Sequence, residues 1–327
     1  MPIYSTKNSF FCNLNDSSIL KNNLPLNPKM KKTAFYLLLI LMPFLSTAQD
    51  ADTTKLWDKG LNLNLNLTQV GLTNWVGGGQ NTLAVTGLSS SFANYKKGNR
   101  SWENSLDLGY GLVRLGTDAP FRKSDDRFIL VSRYGVQQTQ KLKYLAQFDF
   151  RSQFAPGYKY FIDTADNNLE KSVFISDLLS PAYMTISLGL EYSPTKNLFI
   201  YLSPITNKNT IVLNKALANQ GAYGVEKGNK FRKELGTYMS IRYNKDVMEN
   251  ITYKTNLNLF ANYTTFDAID VNWENILFLK VNKYVNVSFT TNFLYDDDID
   301  IIRKDGSVGP AIQFKEVLTV GIGINMK

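Results

Sequence analysis

Carboxylates and cations recur at alternate positions along this chain, and that spacing sets what chemistry they can do. Asp107, Asp149 and Glu191 each stand between apolar or aromatic neighbours. Lys143, Arg151, Arg232, Arg242 and Lys254 occupy the same kind of alternate position. A period of two puts such residues on one face of a strand. Around an enclosed aqueous space that face would bias which solutes pass. In a narrow enclosure it would instead close on itself as ion pairs, because long side chains fill a small lumen. Asp107, Asp149, Arg151, Glu191, Arg232, Arg242 and Lys254 are therefore the candidate lumen-lining residues.

A second acidic group is Asp296-Asp297-Asp298-Ile299-Asp300. Asp296, Asp298 and Asp300 have the spacing to offer oxygen ligands to a divalent cation. The run lacks the glycine at the sixth position and the later glutamate of a calcium loop. A solvated acidic loop explains it equally. The strongest exclusion is histidine, of which the chain has none. A Ser-His-Asp triad or a histidine metal site cannot be built, and proton transfer near neutrality has lost its usual agent. Carboxylate-only catalysis is left open, but no enzyme is expected. Gly77-Gly78-Gly79 is not a phosphate loop, since neither a lysine–serine pair nor a helical pattern follows it. No cofactor is expected.

The elements that carry these residues read as strands. Leu61, Leu63, Leu65 and Leu67 alternate with Asn62, Asn64, Asn66 and Thr68. Met184, Ile186, Leu188 and Leu190 alternate with Thr185, Ser187, Gly189 and Glu191. The pattern predicts twelve strands, at 61–70, 81–95, 100–114, 125–138, 141–155, 182–192, 197–203, 231–244, 250–263, 271–280, 284–295 and 312–326. Several exceed ten residues, which suits a tilted crossing of a bilayer better than a globular sheet. Short links at Lys96–Asn99, Thr139-Gln140, Ser193–Lys196, Lys245–Glu249 and Val281–Lys283 alternate with mostly longer ones. The longer set is Gly71–Gln80, Leu115–Ser124, Pro156–Pro181, Pro204–Lys230, Thr264–Asp270 and Asp296–Ala311. Short periplasmic turns and long external loops produce that asymmetry. Prolines fall in links or at strand edges, as a closed ladder requires. Aromatics collect near strand ends as two interface girdles would. Tyr95, Trp102, Tyr144, Tyr192, Tyr243, Tyr253 and Tyr284 fall by the short turns. Trp75, Phe154, Tyr183, Tyr263, Trp273 and Tyr295 fall by the long loops. Lys215–Asn219 fits a helical turn, and Ile175–Tyr183 fits a constriction or a short helix.

The front of the chain differs. Met30 opens an export signal, with Lys31 and Lys32, the apolar run Ala34–Leu45 and small residues up to Ala48. Residues 1–29 read as an over-extended gene start, 30–48 as a signal peptide, 49–60 as a periplasmic segment and 61–327 as the barrel. Removing residues 1–48 takes away Cys12, five lysines and Asp16. The net charge then falls from +8 to about +4. That modest value, with no nucleic-acid module, argues against a nucleic-acid partner.

The fold class expected is all-β, a membrane-spanning antiparallel up-and-down barrel of about twelve strands in the outer membrane of a Gram-negative bacterium. A narrow porin-like channel or a membrane scaffold is the first functional expectation. The alternatives are a surface interaction module, using its long loops on a partner protein, glycan or lipopolysaccharide, and an exported soluble β-protein. Lipid, lipopolysaccharide and the barrel-insertion machinery would be partners.

Short motifs along the chain resemble a family of uncharacterised exported Bacteroidota proteins grouped as domain of unknown function 3078. They are Asn74-Trp75-Val76-Gly77-Gly78, Trp102-Glu103-Asn104, Tyr110-Gly111, Ser124-Asp125-Asp126, Gln153–Tyr158, Ile175–Tyr183, Leu202-Ser203-Pro204 and Gly221–Val225. The resemblance spans nearly all of the mature chain. It implies an outer-membrane barrel with no assigned activity. The ending Ile324-Asn325-Met326-Lys327 departs from the terminal aromatic usual in such barrels.

Overall fold

The computed structural model describes residues 56–72, 80–163, 169–297, 299–302 and 307–326. The expectations for residues 1–48, Trp75, Gly77–Gly79 and Asp298 lie outside the described residues.

Twelve strands close into a barrel. They are β1 (Trp57–Val70), β2 (Thr82–Lys97), β3 (Arg100–Leu115), β4 (Arg122–Gln137), β5 (Leu142–Ser152), β8 (Ala182–Thr195), β9 (Leu198–Ile211), β10 (Phe231–Met248), β11 (Ile251–Asn262), β12 (Thr265–Lys280), β13 (Val285–Tyr295) and β16 (Gln313–Met326). Each pairs antiparallel with its neighbours in this order, and β16 returns to β1. The remaining strands make two excursions from the ring. One is the hairpin β6 (Gly157–Asp163) and β7 (Leu169–Ser176), the other the short pair β14 (Asp300–Ile302) and β15 (Val308–Pro310).

Local chemistry sets the tight turns. Gly98, at φ 56°, makes the two-residue turn between β2 and β3. Thr139 Oγ1 accepts from the amides of Lys141 and Leu142, Thr195 Oγ1 from those of Asn197 and Leu198, and Asn282 Oδ1 from those of Tyr284 and Val285. Three of the five tight turns are thus closed by a side chain mimicking backbone.

The strands differ from expectation chiefly at the opposite end. β9 does not stop at Ser203 but runs on to Ile211, so the link to β10 starts at 212. Pro204 sits inside β9 where the register to β10 slips between the Ser203–Tyr238 and Thr206–Gly236 pairs. A bulge tolerates a residue with no N–H to give. β12 likewise begins at Thr265, so the expected loop 264–270 is mostly strand. Gly157–Asp163 and Leu169–Ser176 form the β6–β7 hairpin, and a tight bridge between Asp177 and Ser180 follows where a short helix was one of the two expectations. Lys215–Gln220 is a single helix, α1, capped by Asn214 and ended by Gly221 at φ 73°.

Candidate functional site

The barrel is polar inside. Its buried polar residues include Glu191, Arg133, Ser187, Ser203, Thr206 and Glu234, while Leu65, Leu67, Leu188, Leu202, Leu318 and Ile322 lie exposed outside. Period-two alternation carries this inversion. On β8 Ser187 and Glu191 are buried while Ile186, Leu188 and Leu190 are exposed.

Toward the short-turn end, the β3–β10 side of the lumen carries one ion cluster. The Glu191 carboxylate is 1% exposed and accepts from Arg133, from Arg242 Nη2 at 2.7 Å and from Lys143 Nζ at 2.9 Å. Glu103 adds a second carboxylate, 3.3 Å from Arg133 and 3.2 Å from Lys143. Gln147 Oε1 accepts from Arg133 Nε at 3.0 Å. Burial of so many charges is tolerable because each has a partner. Toward the long-loop end the signs are reversed. Lys208 Nζ lies 2.5 Å from Asp270, 3.6 Å from Glu234 and 3.7 Å from Asp296. Arg232 reaches Glu234 at 3.1 Å.

A cavity of about 780 Å³ occupies the rest of the lumen, from Ser124 and Asp125 near the long loops to Asn94 and Glu103 near the short turns. Its wall carries five carboxylates and five cations and is otherwise mostly Asn, Ser and Thr. A side pocket of about 240 Å³ opens beside Tyr183, Lys208 and Asp296. Asp107, Asp149, Arg151 and Arg242 line the main cavity. Asp149 and Arg151 pair with each other at 2.8 Å, and Asp107 accepts from Ser90. Glu191 and Arg232 belong to the two ion clusters. Lys254 shares the inward alternation of Asn256 and Asn258 but sits exposed near the start of β11. Asp296 turns to Lys208. No group of three candidate metal ligands occurs among the described residues.

Arg133, Glu103, Lys208, Glu234 and Asp270 are interior residues that sequence reasoning missed. Arg133 and Glu103 carried the available signal, the same alternation as Lys143. Lys208 and Asp270 fell in segments read as loops. Tyr183 is not in a girdle, since it lines the inner side pocket.

The long-loop rim is knitted by the motifs that carried the family resemblance. Asp126 accepts from the amides of Phe154 and Ala155 at 2.8 and 2.9 Å and from Lys123 at 2.9 Å. Gln153 donates to the carbonyls of Asp177 and Ser180. Asn214 donates to Asp177 Oδ2 at 2.9 Å. Val212, Leu217, Ala218 and Val225 form a small core under this rim, packed by Phe174 and Tyr223. The Tyr223 hydroxyl donates to the Ile175 carbonyl at 2.5 Å, and burial pushes it up to about 12. These motifs therefore have a structural role in shaping the rim.

Residues 67–158 match the profile of a protein of unknown function, DUF3078. The matched span runs from the end of β1 into β6 and includes Glu103, Asp107, Asp126, Arg133, Asp149 and Arg151. No curated protein matches the sequence. Among solved structures the chain is similar to the translocator domain of the autotransporter NalP from Neisseria meningitidis, at 10% identity and TM-score 0.35, over 91% of this chain and 96% of that one. It is similar also to an outer membrane channel of Pseudomonas putida F1, at 12% identity and TM-score 0.37, over 85% and 100%. At these scores the closed ladder, and not the likeness, defines the fold.

Proposed function

We propose that this chain is an outer-membrane barrel acting as a narrow channel, its lumen narrowed by ion pairs beside a polar passage whose wall charges balance. One observation carries the reading: the barrel is inside out relative to a soluble protein. Leucine, isoleucine and valine face outward around it, and charged groups are buried within. An exposed apolar belt of that extent is stable only against lipid. Trp102, Tyr134, Tyr144, Tyr192 and Tyr284 are exposed toward the short turns, and Phe121, Phe154, Phe231, Tyr263 and Trp273 toward the long loops. Such aromatics suit the two water–lipid interfaces. The belt argues against the exported soluble alternative.

The equal numbers of carboxylates and cations around the cavity favour small neutral or zwitterionic solutes over strong ion selection. Lipid, lipopolysaccharide at the long-loop end and the insertion machinery are the partners this reading implies. It implies no catalytic residue and no resident cofactor. The spacing of Asp296, Asp298 and Asp300 remains a proposal for a surface cation site.

A second reading has an observation of its own. The β6–β7 hairpin leaves the ring and exposes Tyr158, Tyr160, Phe161, Ile162, Leu169 and Val173. Such a projection suits binding of a partner at the cell surface. The deciding experiment is outer-membrane fractionation with gel migration before and after heating, followed by conductance in planar bilayers. A faster unheated band in the outer-membrane fraction, with small unitary currents, supports the channel. A heat-shifted barrel without current that loses a bound partner on deletion of 156–181 supports the second reading. A periplasmic protein with no heat shift contradicts both.

A further inference from the structure

The wall of this barrel is not closed evenly. β1 pairs with β2 over fourteen rows, from Trp57–Tyr95 to Val70–Thr82. It pairs with β16 over six rows only, from Leu61–Met326 to Asn66–Gly321. Continued upward, the ladder would set Leu67, Thr68, Gln69 and Val70 against Val320, Thr319, Leu318 and Val317, and those pairs are absent. β16 is intact there, because it pairs with β13 from Gln313 to Ile322. Exposure follows the same division. Leu67–Val70 and Phe314–Leu318 are exposed at every position, inward and outward alike.

Side chains explain why the lower half closes. Gly321 and Gly323 leave room for the amides of Asn66 and Asn64 to lie across β16, where a Cβ would overlap them. Asn64 then accepts from Asn286 of β13 at 3.0 Å and donates to Asn62 Oδ1 at 2.7 Å. Above Gly321 no such clasp occurs among the described residues. Unpaired backbone is costly in hydrocarbon unless it borders a water-filled space, and this stretch does. Asn66, Lys315, Val317 and Thr319 line both the gap and the 780 Å³ cavity.

The cavity has two features that point to an occupant. Asn66 is 8% exposed, and its Nδ2 has no hydrogen-bond partner among the described residues. Arg127, on the same cavity, holds its Nε 3.9 Å from the Asp125 carboxylate, an ion pair beyond hydrogen-bond reach. Leu88, Phe92, Ile129 and Val131 add apolar surface to that cavity. An unanswered amide donor beside a guanidinium suits an acceptor-bearing head, and the apolar residues suit a tail.

We propose that the unpaired long-loop half of the β1–β16 seam is a lateral port, through which a single-chain amphiphile with an acceptor-bearing head passes between lumen and lipid. The proposal rests on the membrane reading above. Its head meets Asn66 and Arg127, while its chain leaves between Leu67 and Val320 into the bilayer.

Paired cysteines test it in the full chain carrying Cys12→Ser. Leu65→Cys with Ile322→Cys lies in the closed half, and Gln69→Cys with Leu318→Cys lies four rows above it on the same outward face. The first pair is expected to oxidise at least ten times faster than the second, which only a longer bifunctional thiol reagent should bridge. In proteoliposomes, bridging 69 to 318 should abolish uptake of dodecanoate and leave ion conductance unchanged, while bridging 65 to 322 should alter neither. Equal oxidation rates, dodecanoate uptake that survives the 69–318 bridge, or a Gln69→Cys link between two copies would each overturn the port. Loss of the heat shift in the unmodified protein would instead remove the membrane reading itself.

Discussion

Glu191→Gln is the most informative single change, because one carboxylate answers three cations. Arg133, Lys143 and Arg242 all converge on it, and only Glu103 remains when its charge is removed. The cluster then holds three cations against one carboxylate, and its net charge rises from one to two positive. Taking one partner from a buried ion pair costs about 3–5 kcal/mol, mostly because the charges left behind stay desolvated. That is a factor of roughly 150 to 4,000 in the folding equilibrium. Urea titration in lipid vesicles measures it. Two further readouts separate this mechanism from general damage. The bilayer reversal potential should move toward anion selectivity, since the added positive charge faces the lumen. Arg242→Gln in the same chain should recover part of the loss, with a coupling of about 1–3 kcal/mol. A cost of under about 1 kcal/mol, the worth of an exposed pair, with no coupling to Arg242, would refute the buried-cluster account.

Three other outcomes follow from the geometry. Gly189→Ala should block barrel assembly, seen as loss of the heat shift, because a Cβ there would overlap the Leu202 carbonyl at the β8–β9 bulge; Gly87→Ala, with open space around it, is the control that should assemble. Asn214→Ala removes the acceptor for the Ala216 and Leu217 amides and the link to Asp177, and should destabilise the α1 rim by about 0.5–2 kcal/mol, measured by hydrogen exchange over 212–225. Arg122 donates twice to Glu170, at 2.7 and 2.5 Å, and holds its carboxyl below the ordinary glutamate value. A depressed carboxylate contributes order above its unfolded value and loses it as pH falls through the folded one. Exchange protection of β6 and β7 should therefore be flat above the ordinary glutamate range and fall below it; protection unchanged at acid pH would contradict the docking.

The ring was legible because its signal is local. Leucine alternating with asparagine in β1 and apolar residues alternating with Ser and Thr in β8 state both the strand and its inward face. What stayed hidden depends on distance. β9 beyond Pro204 has no clear alternation, because a bulge shifts its parity between Ser203 and Thr206. Lys208 was therefore not placed inside, and neither was its cluster with Asp270 and Glu234. Glu191 was legible as inward-facing, yet its three partners come from β4, β5 and β10, and period two cannot say which strands meet. The six-row seam joins residues about 260 positions apart, and no local pattern reports how far such a ladder runs.

In a membrane-spanning barrel of this design the outward face meets lipid and the inward face meets water. Adjacent residues of β13 test it: Phe289 points outward and is exposed, and Thr290 lines the cavity. A fluorophore placed singly on Phe289→Cys or Thr290→Cys, in vesicles containing brominated acyl chains, gives the measurement. Strong quenching by bromolipid is expected at 289 and little at 290, with iodide from solution reaching only 290. Iodide quenching at both positions with no effect of bromolipid at either would contradict it.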